Sequence, residues 1–357
     1  LSRVVENLNF FRAKLNPNVK IMAMVKAFSY GSGSFEIASL LEFHKIDYLS
    51  VAYTDEGVEL RKAGISTPIM VLNSEPSSFY DIIEYNLEPE IFSFKNLKEF
   101  SQLVERRGET DYPIHLKLDS GMKRLGFLEH EMPKLMETLA TNKLLKVASV
   151  FSHLAASDDP NHKDFTLGQI EKFKSMANQL QKTLKYNIDF HILNSSGISS
   201  YPDAQFSMVR LGIGLYGISP SKKEQNGLNP ISELYASVSQ VKNVKKGETV
   251  GYGLSYIAPE DRKIAIISLG YADGFRRSLS NGKGRVYINS KFYPVIGKVC
   301  MDMTMVDISQ SDIKEGDRVE IMGPNISVYE LAERMDTIPY EVLTGISQRV
   351  KRVYFFE

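Results

Sequence analysis

Lys26 comes directly after an apolar run, Ile21 to Val25, and directly before the glycine- and serine-rich turn AFSYGSGS. An ammonium at the rim of a buried strand becomes a nucleophile or base when burial and nearby cations pull it below its ordinary value of about 10.4. Other polar groups end apolar runs in the same manner. Arg124 lies in DSGMKRLGF, His153 nearly closes KVASVFSHL, Asn194 and Ser195 follow DFHIL, and Arg210 leads into LGIG. Basic residues at several independent strand ends suit an anionic ligand. Ser195, Gly212 and Ile213 add a hydroxyl and backbone N–H groups, and glycine lets the chain approach an anion closely. Each residue also has an ordinary explanation: a solvated rim lysine, a hydrogen-bonded core histidine, an ion-paired arginine, plain turn chemistry.

The elements decide between these explanations by bringing the residues together or leaving them apart. Eight short apolar runs recur: IMAMVK (21–26), YLSVAY (48–53), PIMVLN (68–73), EPEIFSF (88–94), PIHLKLD (113–119), KVASVFSHL (146–154), DFHILN (189–194) and MVRLGIGLYG (208–217). Most precede a segment of helical periodicity, such as FEIASLLEFHK or KNLKEFSQLVERRG. The link SSGISSYPD allows only a stunted helix. This alternation predicts a (β/α)8 barrel over residues 1–222. The polar stretch SPSKKEQNGLNPIS then breaks the pattern. Beyond it ELYASVSQVKNV, RKIAIISLGY, GRVYINSKFYPVIGKV and MTMVDIS read as strands, which predicts a mainly β domain over 223–357. A barrel of this kind places its active site at the carboxyl ends of the strands and binds phosphate in the loops after strands seven and eight. Every residue named above falls there. Phosphate on one side of the mouth and a lysine on the other suggest pyridoxal 5'-phosphate, joined to Lys26 through an imine.

The bulk numbers agree with such an enzyme. The chain has 357 residues, enough for two domains. Forty-three basic residues balance forty-three acidic ones, so charge gives no reason to expect nucleic acid or an anionic membrane as partner. No apolar stretch approaches the roughly 20 residues of a membrane span, and no signal-peptide pattern opens the chain. The single cysteine, Cys300, excludes an internal disulfide framework and suits a reducing, cytoplasmic compartment. The chain opens on Leu1 inside a helical pattern, so a longer parent chain is an open possibility.

The motifs, in their order, resemble the alanine racemase family of fold-type III pyridoxal-phosphate enzymes. The family's lysine motif commonly reads AVVKANAYGHG; here it is AMVKAFSYGSG (23–33). Further matches are LKLDSGMKRLGF (116–127), FSHLAASDD (151–159), HILNSSG (191–197), VRLGIGLYG (209–217), VGYGLSY (250–256), LGYADG (269–274), VCMDMTMVDI (299–308) and PYEVLTGISQRV (339–350). The resemblance implies that Lys26 holds the cofactor and serves as one catalytic base, with Tyr256 as the base for the opposite enantiomer. It implies phosphate binding by Tyr30, Ser195, Gly212, Ile213 and Tyr340, with Asn194 beside them. Arg210 then faces the pyridine nitrogen, His153 lies beneath the ring, and Arg124 contacts the cofactor's phenolic oxygen and the substrate carboxylate. Met301, Asp302 and Tyr256 correspond to residues supplied by the second chain of a homodimer, and Lys117 to a lysine carbamylated in many members.

The implied substrate is alanine, and the implied role is supply of D-alanine for cell-wall peptide synthesis. A guanidinium cannot practically take a proton from the ring, so the ring nitrogen stays unprotonated and side reactions are limited. Phe28, Ser29 and Ser32 depart from the family's lysine motif, and Lys298 stands where arginine is frequent. Two rival readings remain at this point: a cofactor-homeostasis protein built on a single barrel, and a decarboxylase of basic amino acids, which would set a carboxylate against the ring nitrogen. Serine, or a broader set of amino acids, would share the same motifs.

Overall fold

A computed structural model of the chain describes residues 1–356. It divides into two units. One holds Leu1–Ser29, Gly33–Pro230 and the end of the chain from Phe355; the other holds Tyr30–Ser32 and Ile231–Tyr354. The boundary lies past the 222/223 junction expected from the sequence. The short helix Lys222–Gln225 explains the difference, because it is tied into the first unit. Glu224 accepts from Lys14 Nζ at 2.7 Å and from Ser219 Oγ at 2.6 Å, and Gln225 Nε2 donates to Gly217 O at 2.9 Å.

The first unit contains β1 (Lys20–Met24), β2 (Tyr48–Val51), β3 (Ile69–Val71), β4 (Glu88–Ile91), β5 (Tyr112–Lys117), β6 (Leu145–Phe151), β7 (Asp189–His191) and β8 (Met208–Leu211). All pairings are parallel, in the order β7-β6-β5-β4-β3-β2-β1-β8. This is the eight-stranded barrel expected, and the link after β7 is indeed a six-residue helix, Ser195–Ser200. The strands β7 and β8 end this order, and Arg210 bridges them: its N–H donates to Leu193 O at 3.0 Å. Side chains alternate along a strand, so one set packs outward under the helices and the other fills the barrel. Met22, Met70, Met208 and Phe151 form an apolar layer inside. Glu90, His115, Lys117, Ser149, His191 and Arg210, at alternate positions of neighbouring strands, are buried as well. A parallel barrel is normally filled with branched apolar residues; here a layer of polar and charged side chains joins the apolar one.

The second unit contains β9 (Leu234–Val244), the small pair β10 (Thr249–Val250) and β11 (Tyr256–Ile257), then β12 (Arg262–Ile267), β13 (Arg285–Ile288), β14 (Lys291–Ile296), β15 (Thr304–Asp307) and β16 (Arg318–Met322). Six of these close an antiparallel barrel, β12-β15-β14-β13-β16-β9. β16 and the helices Val328–Met335 and Pro339–Thr344 are further elements, beyond the strands expected from the period of two. The tight turns KKGE and NGKG separate strands as their glycines suggest. Val250, Ala258, Ile264, Ile296 and Met305 make an apolar cluster with the Tyr256 ring against it. No helix among the described residues is long and apolar enough to cross a membrane.

Gly270 explains why LGYADG and VCMDM occur together. A Cβ there would sit 2.3 Å from Met301 O and 2.4 Å from Cys300 O. Tyr271 N–H donates to Cys300 O and Ala272 N–H to Met301 O, each at 3.0 Å. The two loops therefore lie backbone to backbone, and only glycine allows it. Gly270→Ala is expected to cost about 1–3 kcal/mol through overpacking, visible as a lowered thermal midpoint of the purified protein; an unchanged midpoint would show that the loops are not in this contact.

Candidate active site

The chain reaches Lys26 through Val25, whose N–H donates to Ser50 O at 2.9 Å. Four consecutive residues then adopt the left-handed region: Ala27, Phe28, Ser29 and Tyr30, with φ of 53°, 55°, 49° and 51°. None is glycine, and each costs roughly 1–2 kcal/mol in that region, so the surroundings must hold the turn in place. Glu56 does much of this. Its Oε1 accepts from Ala27 N–H at 2.6 Å, while Oε2 accepts from Ala52 N–H at 2.7 Å. Ser29 N–H returns to Val25 O at 3.0 Å. From the loop after β8, Tyr216 donates to Met24 O at 2.8 Å. The motif departures Phe28 and Ser29 are thus accommodated inside the turn itself. Glu56 gave no signal in the sequence beyond its place in the helix-opening stretch TDEG.

Burial, then the charge of Arg124, push the Lys26 amine below its ordinary value, with Arg210 acting in the same sense. Arg124 is carried by the loop after β5, which is pinned by Asp119 Oδ1 accepting from Gly121 and Lys123 N–H, at 2.8 and 3.1 Å. In the loops after β7 and β8, Ser195 Oγ accepts from Gly212 N–H at 2.9 Å and Gly214 N–H at 3.2 Å. Both amides are taken up by the Ser195 oxygen, which orients its O–H to donate outward, as a phosphate requires. Asn194 serves as a helix cap: its Oδ1 accepts from Gly197 N–H and Ser157 Oγ, at 2.9 and 2.8 Å. Ile213 opens the buried turn Ile213–Tyr216.

Arg210 is the most heavily bonded group of the site. NH1 donates to His191 Nδ1 at 2.8 Å and His191 O at 3.2 Å; NH2 donates to Ser152 O at 2.7 Å, His153 Nδ1 at 3.0 Å and Ile192 O at 3.1 Å. Among the described residues Nε–H meets no acceptor, which leaves one donor of a fixed fork for a ring nitrogen. Burial pulls the guanidinium down to about 10, still high enough to keep it charged. Burial and Arg210 hold His153 well below the usual imidazole range, so it accepts as a neutral ring. Lys117 is buried with its Nζ 4.2 Å from the centroid of Phe151, and burial pulls its amine down to about 8. Nearby, burial raises Glu90 to about 7.

Lys26, Arg124, His153, Asn194, Ser195, Arg210, Gly212 and Ile213 therefore gather at the carboxyl ends of the barrel strands. Tyr30, Tyr256, Met301, Asp302 and Tyr340 belong to the second unit. There the Tyr30 and Tyr340 rings lie 6.0 Å apart. Asp302 Oδ1 accepts from Arg349 at 2.6 Å, and the same guanidinium donates to Asp273 at 2.8 Å. Arg349, in the motif TGISQRV, thus bridges Asp273 and Asp302, a link that sequence reasoning passed over.

The alanine racemase N-terminal domain family matches residues 1–220, and the alanine racemase C-terminal domain family matches 231–354. The chain belongs to the alanine racemase family. Alanine racemase 1 of Clostridium acetobutylicum is 39% identical over 99% of this chain and 93% of its own length. The alanine racemase structure of Clostridium difficile 630 superposes with a TM-score of 0.93 at 36% identity, covering 99% of this chain and 94% of that one. The Bartonella henselae alanine racemase, solved with covalently bound pyridoxal phosphate, covers 99% of this chain and 97% of that one, with a TM-score of 0.89 at 30% identity. This family member is an enzyme, a pyridoxal-phosphate-dependent alanine racemase, and both rival readings fall away. The donor set around Ser195 and the depressed amine of Lys26 fit that cofactor.

Replacing the exposed Ala27 by glycine removes a left-handed penalty of about 1 kcal/mol and is expected to raise the thermal midpoint. A lowered midpoint would contradict the left-handed turn.

Proposed function

We propose that racemisation proceeds by two opposed proton carriers, Lys26 from one chain and Tyr256 from a second. The observation that carries this reading is the half-buried Lys26 side chain at the strand end, its amine depressed by desolvation and by Arg124. Pyridoxal phosphate, when bound, supplies an electron sink that acidifies the α-hydrogen of the amino acid. Lys26 then moves a proton at the α-carbon on one face, and Tyr256 on the other. Ser195, Gly212 and Ile213, with Tyr30 and Tyr340, hold the phosphate. Arg210 offers Nε–H to the ring nitrogen and cannot accept a proton in return, while His153 supports the ring. Arg124, with Met301 and Asp302 of the second chain, binds the substrate.

A homodimer with shared sites is supported by the state of Tyr256. Partial burial and Asp307 push its phenol up within its own domain, the wrong direction for a base. Cations of a second chain's barrel would favour phenolate instead. Tyr252, Leu254, Ile257, Met301 and Met303 are also large, apolar and exposed, as an interface requires. Alanine is the substrate, and D-alanine for cell-wall peptide synthesis in the cytoplasm is the role that follows from the family. The depressed Lys117 amine is in the state that addition of carbon dioxide requires, which supports its carbamylation.

Lys26→Ala is expected to abolish racemisation in both directions, and borohydride treatment of the wild-type holoenzyme to fix the yellow cofactor on the Lys26 peptide. Tyr256→Phe should impair α-hydrogen exchange with solvent unequally for L- and D-alanine. Equal, mild effects on the two enantiomers would remove the phenol from the reaction.

A further inference from the structure

Beyond His191, the bonds of Arg210 continue through the barrel. His191 Nε2 lies 2.8 Å from Ser149 Oγ, which lies 2.6 Å from His115 Nδ1; His115 Nε2 lies 2.8 Å from Glu88 Oε2. Five side chains on five successive strands of the barrel, β8, β7, β6, β5 and β4, form one line. Its ends determine its direction. A guanidinium only donates and a carboxylate only accepts. Arg210 donates to His191 Nδ1, so the His191 hydrogen is on Nε2 and is given to Ser149. The serine hydroxyl then donates to His115 Nδ1, and the His115 hydrogen on Nε2 is given to Glu88. The reverse order would require His191 to carry a hydrogen facing the arginine.

The surroundings favour this single arrangement. His115, Ser149 and His191 are buried, and Glu88 is largely so. Phe151 stacks on His191 with centroids 4.9 Å apart and planes 7° apart, and the Tyr48 ring meets His115 edge-on at 5.6 Å. Burial and Arg210 hold His191 neutral. Hydrogen bonds aligned head to tail in a low-dielectric interior strengthen one another. Glu88 is the first residue of β4, at the end of the barrel away from Lys26.

We propose that Glu88, His115 and Ser149 are positioning residues for Arg210, forming a one-way relay that fixes both histidine tautomers and anchors the guanidinium facing the cofactor. This rests on the placement of Arg210 opposite the ring nitrogen. The relay would make the amino end of the barrel, ordinarily a matter of stability alone, part of the electrostatics of the reaction.

The test is nitrogen NMR of holoenzyme labelled with 15N in its six histidines, assigned with single variants and paired with kinetics. His115 and His191 are expected as Nε2–H tautomers. Ser149→Ala should leave His115 without its donor, change its 15N shifts and shift the bound cofactor's absorption. It should also lower kcat roughly tenfold, the order of one buried hydrogen bond, with KM for alanine unchanged. Ser149→Thr should restore all of these. Glu88→Gln, which keeps the shape and removes the charge, is the second variant should Ser149→Ala fail to fold, and it should lower kcat in the same direction. A His115 Nδ1–H tautomer or imidazolium in the wild type would overturn the relay. Normal kcat and spectrum in both variants would overturn its link to Arg210. A wild-type enzyme that does not racemise alanine would overturn the functional reading, whereas the tautomers would still decide the relay.

Discussion

A guanidinium taken out of water must have its hydrogens accepted, or its burial costs several kcal/mol. Arg210 sits inside a barrel and meets that demand at NH1 and NH2 with three backbone carbonyls and two imidazoles. Much else in the barrel follows from this constraint. The carbonyls come from the ends of β6 and β7, so the arginine also bridges the strands β7 and β8. The imidazoles must be neutral acceptors, which fixes their tautomers. Glu90 and Lys117, drawn toward each other's range by burial, complete a charged interior that most barrels of this type lack.

Lys26 is held by a different device. A left-handed turn of ordinary residues is unfavourable, yet Glu56 and Tyr216 tie it to the loops after β2 and β8. The turn lets the chain leave β1 sharply, so that Lys26 stays at the strand end while the following residues join the second unit. Its cost is offset by the same contacts that fix the lysine. In the second unit Gly270 plays a comparable part, bringing two motif loops into direct backbone contact.

Much of this was legible in the sequence. Each of the eight strands overlaps the apolar run that announced it, with β1, β5 and β6 starting one residue earlier, because burial on both faces leaves a continuous signature in parallel strands. The break in style after residue 218 marked the second unit, although the helix Lys222–Gln225 moved the contact boundary to Pro230. Lys26, Arg124, His153, Ser195 and Arg210 stood out because they are polar at the ends of apolar runs. Glu88, His115, Ser149 and His191 were passed over for the opposite reason, since they lie within the runs. The usable signal was their period of two, EPE, HLK, SVF and DFH, which places polar groups on one face of strands that should be apolar throughout. The role of Glu56 was invisible, because nothing local tells a helix-opening glutamate that it must also hold a turn one strand away. β16, RVEIM, was lost behind the turn that precedes it.

The central claim is that a fixed donor, unable to take a proton, faces the cofactor ring. Nitrogen NMR of the holoenzyme loaded with pyridoxal phosphate labelled at its ring nitrogen reads this directly. An unprotonated, hydrogen-bonded pyridine shift across the working pH range is the predicted result. A pyridinium shift would mean that the guanidinium is not where this account requires it.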